Sequence, residues 1–571
     1  MLNSTAEKLL SNILMIGAAF VSIFVISGGV TDPVNVTKLL ALGGVCGAGF
    51  AIAMSFGVKG IWINYRLTIC TLILYFCSVI NSVLQSEAPI SQLIYGSYGR
   101  NTGFITYFLL ILIFITALGI TQGKSFQKII YGLLAVGVIN SIYCLWVIVF
   151  GDFIGWSNPY GNILGTFGNP NFIGAFLGIF VSVLFAFLIQ TKIGMIYRIA
   201  GWILFLIAAY EIKSSHAIQG IVVAAGGISL VGFFYLRSKS NSNILPTLYS
   251  GVILLIGVVS TLGALQIGPM TSIIYKNSVS LRGEYWQAAV NMGNKFPFSG
   301  VGMDTFGDWY RRLRDGHALI NPGPNIVSNA AHNVILDQYA YGGWPMLALY
   351  VAILLLVIRS IIKVTLRQRE FDITFVGLAV GWICYQVQSL ISINQIGLAI
   401  WGWLLGGCLI AYERVKNPAN NSGALNSSKI TTKNKIRNYQ SFAPSPLILG
   451  FVGMIFGLLI ATPPYSADTK WKAAIGSGNV QTVEKALVPG YLNPQNSARY
   501  ATATQLFESN KLYELAYKYA KAGVEYNPDS FDAWKLLYYV TNSTPTDKDL
   551  AKKNLMRLDP KNSKIFDVPT K

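Results

Sequence analysis

The sequence predicts an all-α, polytopic membrane protein of about thirteen transmembrane helices with a soluble α-helical repeat domain at its C-terminus. Three observations predict this fold class. Hydrophobic residues make up 53% of the 571 residues and charged residues only 12%, with a mean hydropathy of +0.50, which is too apolar for a soluble globular protein. Apolar runs of roughly 17 to 25 residues, the length that crosses a bilayer, recur along most of the chain. After Pro463 the composition becomes polar with a helical period.

The apolar runs can be followed in order along the chain by sliding hydrophobicity. The predicted membrane helices begin near Leu9, Val36, Leu67, Phe104, Ile129, Asn171, Met195, Ala217, Ile244, Trp344, Ile373, Ile396 and Pro446. Two pairs of these helices, those that begin near Met195 and Ala217 and those that begin near Ile373 and Ile396, are joined by very short connections.

The distribution of Lys and Arg predicts the orientation, because short cytoplasmic loops are enriched in these residues. Alternate connections are basic, such as the one with Lys124 and Lys128, whereas the connection GDFIGWSNPYGNILGTFGNP has neither Lys nor Arg. With an odd number of helices, this pattern predicts a cytoplasmic N-terminus and a cytoplasmic linker over 413–443. The long loop 268–332 and the C-terminal domain are then extracytoplasmic.

The predicted domains are residues 1–463, which hold the membrane helices, the loop and the linker, and residues 464–571. In the second domain, Asn527-Pro528 and Asp559-Pro560 lie about 32 residues apart, close to the 34-residue period of tetratricopeptide repeats, which this segment resembles. Such repeats usually bind a protein or peptide partner, but a cap that only stabilises the protein is nearly as consistent with the pattern.

The charge and the cysteines exclude some functions. Much of the net charge of +19 lies in the predicted cytoplasmic loops, where topology explains it, so nucleic acid is not expected as a partner. All six cysteines fall within apolar runs, where packing is a better explanation than disulfides or metal binding.

Polar residues suited to chemistry are concentrated at the predicted outer face instead of inside the spans, where transporters usually carry them. Fixed cations at this level suit a phosphate or diphosphate group, because Arg donates two hydrogen bonds to phosphate in one plane. His332 is a candidate base, since the unperturbed pKa of histidine lies near neutrality. The candidate residues are Arg100, Asn169, Asn171, Lys213, His216, Arg282, His332 and Asn333.

Each candidate also has a structural alternative. Arginines 311, 312 and 314 are equally typical of anchors at a membrane interface, and a histidine at a helix start, such as His332, is often only a hydrogen-bonding residue. Asp337 would lie about 140° around a helix from His332, too far for a direct pair. The loop aspartates have no recognised coordination spacing, so neither a metal nor another cofactor is expected.

Several motifs together resemble the superfamily of O-antigen ligases and polymerases. They are GSYGRNTGFITY around Arg100, GTFGNPNFIGAFL around Asn169 and Asn171, and LRGEYWQAAVNMGNKFPFSGVGMDTF followed by His332-Asn333. They occur in order between about residues 90 and 410. One departure is Ser215-His216, where many members have a Ser-Arg pair; Lys213 or His216 is the candidate replacement for that charge.

The resemblance implies a bacterial plasma-membrane glycosyltransferase that is inverting and metal-independent. It would transfer a sugar chain from undecaprenyl diphosphate to a lipid, protein or cell-surface glycan. Arg282 and Arg100 would hold the diphosphate, with Lys213 and His216 as further contacts and Asn169, Asn171 and Asn333 in support, and His332 would activate the acceptor. A polysaccharide polymerase is the main alternative, and a transporter of lipid-linked oligosaccharide is a lesser one.

Overall fold

The structure is a computed structural model that describes residues 4–190, 193–264, 268, 281–417, 445–563 and 565–566. Within these ranges the regular structure is helical, with one isolated β-bridge between Gly490 and Asn493. In the first part of the chain the helices are α1 (Ser4–Ile23), α2 (Asn35–Gln85), α3 (Ile90–Tyr95), α4 (Phe104–Ala117), α5 (Gly123–Phe150), α6 (Pro170–Leu188), α7 (Met195–Ser214), α8 (Ile218–Lys239) and α9 (Ile244–Ala264). They continue as α10 (Arg282–Lys295), α11 (Phe306–Leu313), α12 (Val334–Arg367), α13 (Ile373–Ser389), α14 (Ile396–Val415), α15 (Pro446–Gly476), α16 (Val480–Ala486), α17 (Ser497–Ser509), α18 (Tyr513–Tyr526), α19 (Phe531–Tyr539) and α20 (Pro545–Leu558).

Ten helical segments in the described ranges are long and apolar enough to cross a membrane, which confirms an all-α polytopic protein. Helix α2 holds two of them, Asn35–Ser55 and Gly57–Gln85, and its backbone leaves helical geometry at Tyr65. Three shorter apolar helices, in α4, α9 and α13, accompany them. The count of thirteen requires all three to cross as well and stays a prediction. Most of the predicted linker 413–443 lies outside the described residues.

Helices α2 and α15 pack against each other through glycines spaced four residues apart. Gly43 and Gly47 on α2 face Gly453 and Gly457 on α15, and a Cβ atom at any of these positions would overlap the facing helix. Small residues at this spacing let two membrane helices bring their backbones together. This contact fixes α15 against the start of the bundle.

A buried hydrogen-bond network holds α12 against α2 and α4. The Tyr75 hydroxyl donates to Gln338 Oε1 at 2.6 Å, and Gln338 Nε2 donates to the Tyr107 hydroxyl at 2.9 Å. Asn394 Nδ2 donates to the same hydroxyl at 3.2 Å. Every member has a partner, as buried polar groups in a membrane protein require. The network orients the first turns of α12, which follow His332.

Beyond Pro463 and Pro464 the last apolar helix, α15, continues unbroken to Gly476. The end of α15 and helices α16 to α20 then form two hydrophobic clusters, one that includes Trp471 and Phe507 and one that includes Trp534 and Leu555.

Three arginines at the end of α11 join the long loop to these C-terminal helices. Arg314 donates two hydrogen bonds to Asp559, at 2.8 and 2.6 Å, and both side chains are fully buried. Arg311 lies 3.5 Å from the same carboxylate, and Arg312 pairs with Asp529. These guanidinium groups are therefore held by carboxylates of the C-terminal helices.

Candidate functional site

A cavity of about 740 Å³ opens at the end of the bundle where α1 ends and α2, α6, α12 and α14 begin. Its walls come from distant parts of the chain: residues 27–35, 98–100, 155–172, 392–395 and single residues that include Arg282, His332 and Lys472. The volume falls within the usual range of ligand pockets. Five of the predicted site residues line this cavity: Arg100, Asn169, Asn171, Arg282 and His332.

The start of α12 is built so that His332 points away from the helix. The side chain of Asn333 accepts hydrogen bonds from the backbone N–H groups of Ile335 and Leu336, at 3.0 and 3.2 Å, and so caps the helix. Asp337 accepts from the backbone N–H of Ala331 at 2.8 Å. Between these two contacts His332 has a φ of 53°. This left-handed backbone conformation is energetically unfavourable for residues other than glycine. Asn333 itself caps the helix and is not among the described lining residues.

The surroundings of His332 keep its imidazole neutral. Burial and, after it, the positive charges of Arg282 and Arg100 together lower the pKa of His332 to about 4. The Tyr285 ring lies 5.7 Å from the imidazole ring, centroid to centroid. At neutral pH the imidazole can therefore accept a proton. It is a weak base as long as no anion in the cavity offsets the positive charges of the two arginines.

Arg282 begins α10 and is partly buried. Burial lowers the pKa of its guanidinium group, although an arginine stays protonated at neutral pH. Among the described residues no carboxylate pairs with it; positions 269–280, directly before it, lie outside those residues. Its charge is therefore available to an anion in the cavity.

Arg100 lines the same cavity but is already held by protein groups. Its Nε lies 3.3 Å from Asp304 Oδ1, and its terminal nitrogens donate to Asn329 Oδ1 at 3.2 Å and to the Tyr341 hydroxyl at 3.3 Å. Asp304 is fixed in turn by the backbone N–H of Ser97 at 2.8 Å. This guanidinium group is fixed in position, and much of its charge is balanced by the protein.

Asn169 has a structural role beside its place in the cavity wall, and two other predicted residues lie elsewhere. Asn169 caps α6 through a hydrogen bond from the backbone N–H of Asn171 at 2.8 Å. Lys213 and His216 are both exposed, at and just after the end of α7. Neither is among the described residues that line the cavity.

Two charged residues that line the cavity, Asp32 and Lys472, were not predicted from the sequence. Asp32 accepts from the backbone N–H groups of Val34 and Asn35 at 3.0 Å, and burial raises the pKa of its carboxyl group. Lys472 reaches the cavity from α15. In the sequence Asp32 appears only as a helix cap, and no signal in the sequence singles out Lys472 among the lysines that follow the last apolar run.

No protein-family model and no curated protein sequence matches this chain. Membership of the ligase and polymerase superfamily therefore stays a prediction from the motifs.

Proposed function

We propose that this protein is a glycan ligase of the bacterial plasma membrane, with undecaprenyl-diphosphate-linked glycan as donor and an extracytoplasmic lipid, protein or glycan as acceptor. The chain would cross the membrane thirteen times, with the N-terminus in the cytoplasm and helices α16 to α20 outside. The supporting observation is one cavity that combines a cation lacking a carboxylate partner among the described residues, Arg282, with a neutral histidine, His332.

The transfer would proceed in one displacement. The acceptor hydroxyl oxygen attacks the anomeric carbon of the donor sugar while the bond from that carbon to the diphosphate oxygen breaks, which inverts the configuration. His332 takes the proton of the hydroxyl. Arg282, with Arg100, stabilises the negative charge that develops on the leaving diphosphate.

The donor itself would strengthen the base. A diphosphate between Arg282 and Arg100 offsets the two positive charges that lower the pKa of His332, so the pKa rises when the donor binds. The base is then strongest in the donor complex, where the proton must be removed. Lys472, on α15, is a further cation that lines the same cavity.

The test is transfer by the purified full-length protein, reconstituted with undecaprenyl-diphosphate-linked glycan and a panel of lipid, protein and glycan acceptors. His332→Ala should abolish transfer. His317→Ala is the matched control, because His317 lies in the same loop but is 64% exposed in its side chain and paired with Glu284 at 2.8 Å.

The products separate the alternatives. A new glycosidic bond on a lipid, protein or glycan acceptor supports the ligase. Elongation of the lipid-linked glycan itself would identify a polymerase, and movement of the donor across the bilayer without a new bond would identify a transporter. Equal activity of the two histidine variants would overturn the assignment of His332.

A further inference from the structure

A second cavity opens at the opposite end of the helix bundle. It has a volume of about 270 Å³ and lies where α2 is kinked and where α12 and α14 end. Helix α12 starts beside His332, leaves helical geometry at Gly343 and reaches this cavity at Arg359; its part from Gly343 to Arg359 alone corresponds to roughly 24 Å of helix at 1.5 Å per residue. The two cavities therefore lie near opposite faces of the membrane.

The lining of this second cavity is strongly basic. Its only carboxylate among the described lining residues, Glu413, accepts a hydrogen bond from Arg367 at 2.6 Å and lies 3.9 Å from the lining residue Lys363. One carboxylate therefore stands against four cationic side chains in the described lining. The four cationic lining residues are Arg66, Arg359, Lys363 and Arg414.

Part of the cavity wall is held in place by contacts within the protein. The Arg414 guanidinium group hydrogen-bonds the side chain and backbone carbonyl of Asn64, and it lies 5.7 Å from the centroid of the Tyr65 ring. Tyr65 is the residue at which α2 leaves helical geometry, with φ −131° and ψ 30°. The hydroxyl-bearing residues Thr68 and Ser360, both buried, complete a polar floor.

Large apolar side chains surround the basic lining and are exposed on the outer surface of the bundle. Leu67 is 64% exposed, Ile362 50% and Leu366 70%. In a membrane protein such side chains face lipid chains. A suitable occupant therefore has an anionic group for the cavity and apolar chains for the surface beside it.

We propose that this cavity binds the phosphate group of an anionic phospholipid, whose acyl chains lie along α2 and α12. Topology alone accounts for basic residues at this face, but it does not require four of them to converge on one cavity between three helices. Basic cavities of this kind between membrane helices suit anionic lipid headgroups, and the arginine fork matches phosphate oxygens.

The experiment measures lipid binding to the full-length protein in detergent by native mass spectrometry, with phosphatidylglycerol and phosphatidylcholine as probes. The wild type should prefer phosphatidylglycerol. The double variant Arg66→Gln/Arg359→Gln should bind phosphatidylglycerol about thirtyfold more weakly, since each basic group near a membrane surface contributes roughly a fivefold change in affinity.

The control is Lys59→Gln/Lys124→Gln, which removes the same charge from two exposed positions at the same end of the bundle that do not line the cavity. Its affinity should stay within about twofold of the wild type, since charges outside the cavity are screened by water and salt. Equal weakening in the two double variants, or no preference for phosphatidylglycerol in the wild type, would overturn the proposal.

Two further measurements complete the test. If inorganic phosphate binds the wild type with the same dependence on Arg66 and Arg359 and displaces phosphatidylglycerol, the cavity takes a soluble phosphate and the lipid assignment fails. If the double variant does not fold, as judged by gel filtration, the single variants Arg66→Gln and Arg359→Gln should each weaken phosphatidylglycerol binding about fivefold, and unchanged binding in both would contradict the proposal.

Discussion

Arg282 and Arg314 belong to the same loop and differ mainly in their charge partners. Arg314 is fully buried against Asp559, a residue 245 positions later in the chain. Arg282 is partly buried, lines the large cavity and has no carboxylate partner among the described residues. Arg314 thus joins two parts of the fold, whereas Arg282 remains available to an anion in the cavity.

Arg100 is intermediate between these two. It lines the cavity like Arg282, but Asp304 lies 3.3 Å from it. The position of the nearest carboxylate, more than the basic residue itself, therefore distinguishes an arginine paired within the protein from one without a carboxylate partner among the described residues. Four predictions test this distinction.

The largest expected effect is on stability at the buried pair. Arg314→Ala should lower the free energy of unfolding by about 3 to 5 kcal/mol, because among the described residues it leaves the buried Asp559 carboxylate with Arg311, at 3.5 Å, as its one charged partner. Thermal unfolding of the purified protein measures this loss. Arg557→Ala, which breaks an exposed pair with Asp529, should cost less than about 1 kcal/mol; similar losses in the two variants would refute the contrast.

Arg282→Ala should have the reverse pattern. Glycan transfer should fall about a hundred- to a thousandfold, as expected when a group that stabilises a developing anion is removed, while the unfolding midpoint changes little. Arg282→Lys, which keeps the charge but loses the planar donor fork, should fall between the wild type and the alanine variant. Unaltered transfer by Arg282→Ala would remove this residue from the site.

The third prediction concerns the charge of His332. In the empty cavity its imidazole should titrate near pH 4, and addition of inorganic diphosphate should raise the pKa, because the anion offsets Arg282 and Arg100. Because protonation of His332 and binding of diphosphate favour each other, diphosphate should bind more tightly as the pH falls through the raised pKa. NMR of labelled histidines measures this, and His332→Gln assigns the signal among the three histidines. A pKa that does not respond to diphosphate would separate His332 from the anion site.

The smallest expected effect is at the helix cap beside His332. Asn333→Ala should cost about 1 kcal/mol of stability, as loss of a side-chain cap usually does, and should also slow transfer because the cap orients His332. Asn479→Ala removes the equivalent cap of α16, whose side chain accepts from the Thr482 N–H at 3.2 Å. It should cost a similar amount of stability and leave transfer unchanged; a parallel loss of transfer would show that general destabilisation explains both.

The candidate site could be predicted only in part. The motifs led to Arg100, Arg282 and His332 because fixed cations at a membrane face suit a diphosphate group and histidine suits a base. They could not reveal Asp32 or Lys472, because these residues resemble an ordinary helix cap and an ordinary surface lysine. The sequence also could not separate Lys213 and His216, which are exposed, from the residues of the cavity.

The amino-acid sequence by itself determined that this protein is helical and crosses a membrane repeatedly, because long apolar runs can satisfy their backbone hydrogen bonds in lipid only as helices. Only the tertiary structure decided which arginines have carboxylate partners. Ion pairs such as Arg314 with Asp559 join residues far apart in the chain, and their geometry depends on how α11 and the C-terminal helices pack. Local sequence contains the charges, but the distances between them arise from the packing of the whole chain.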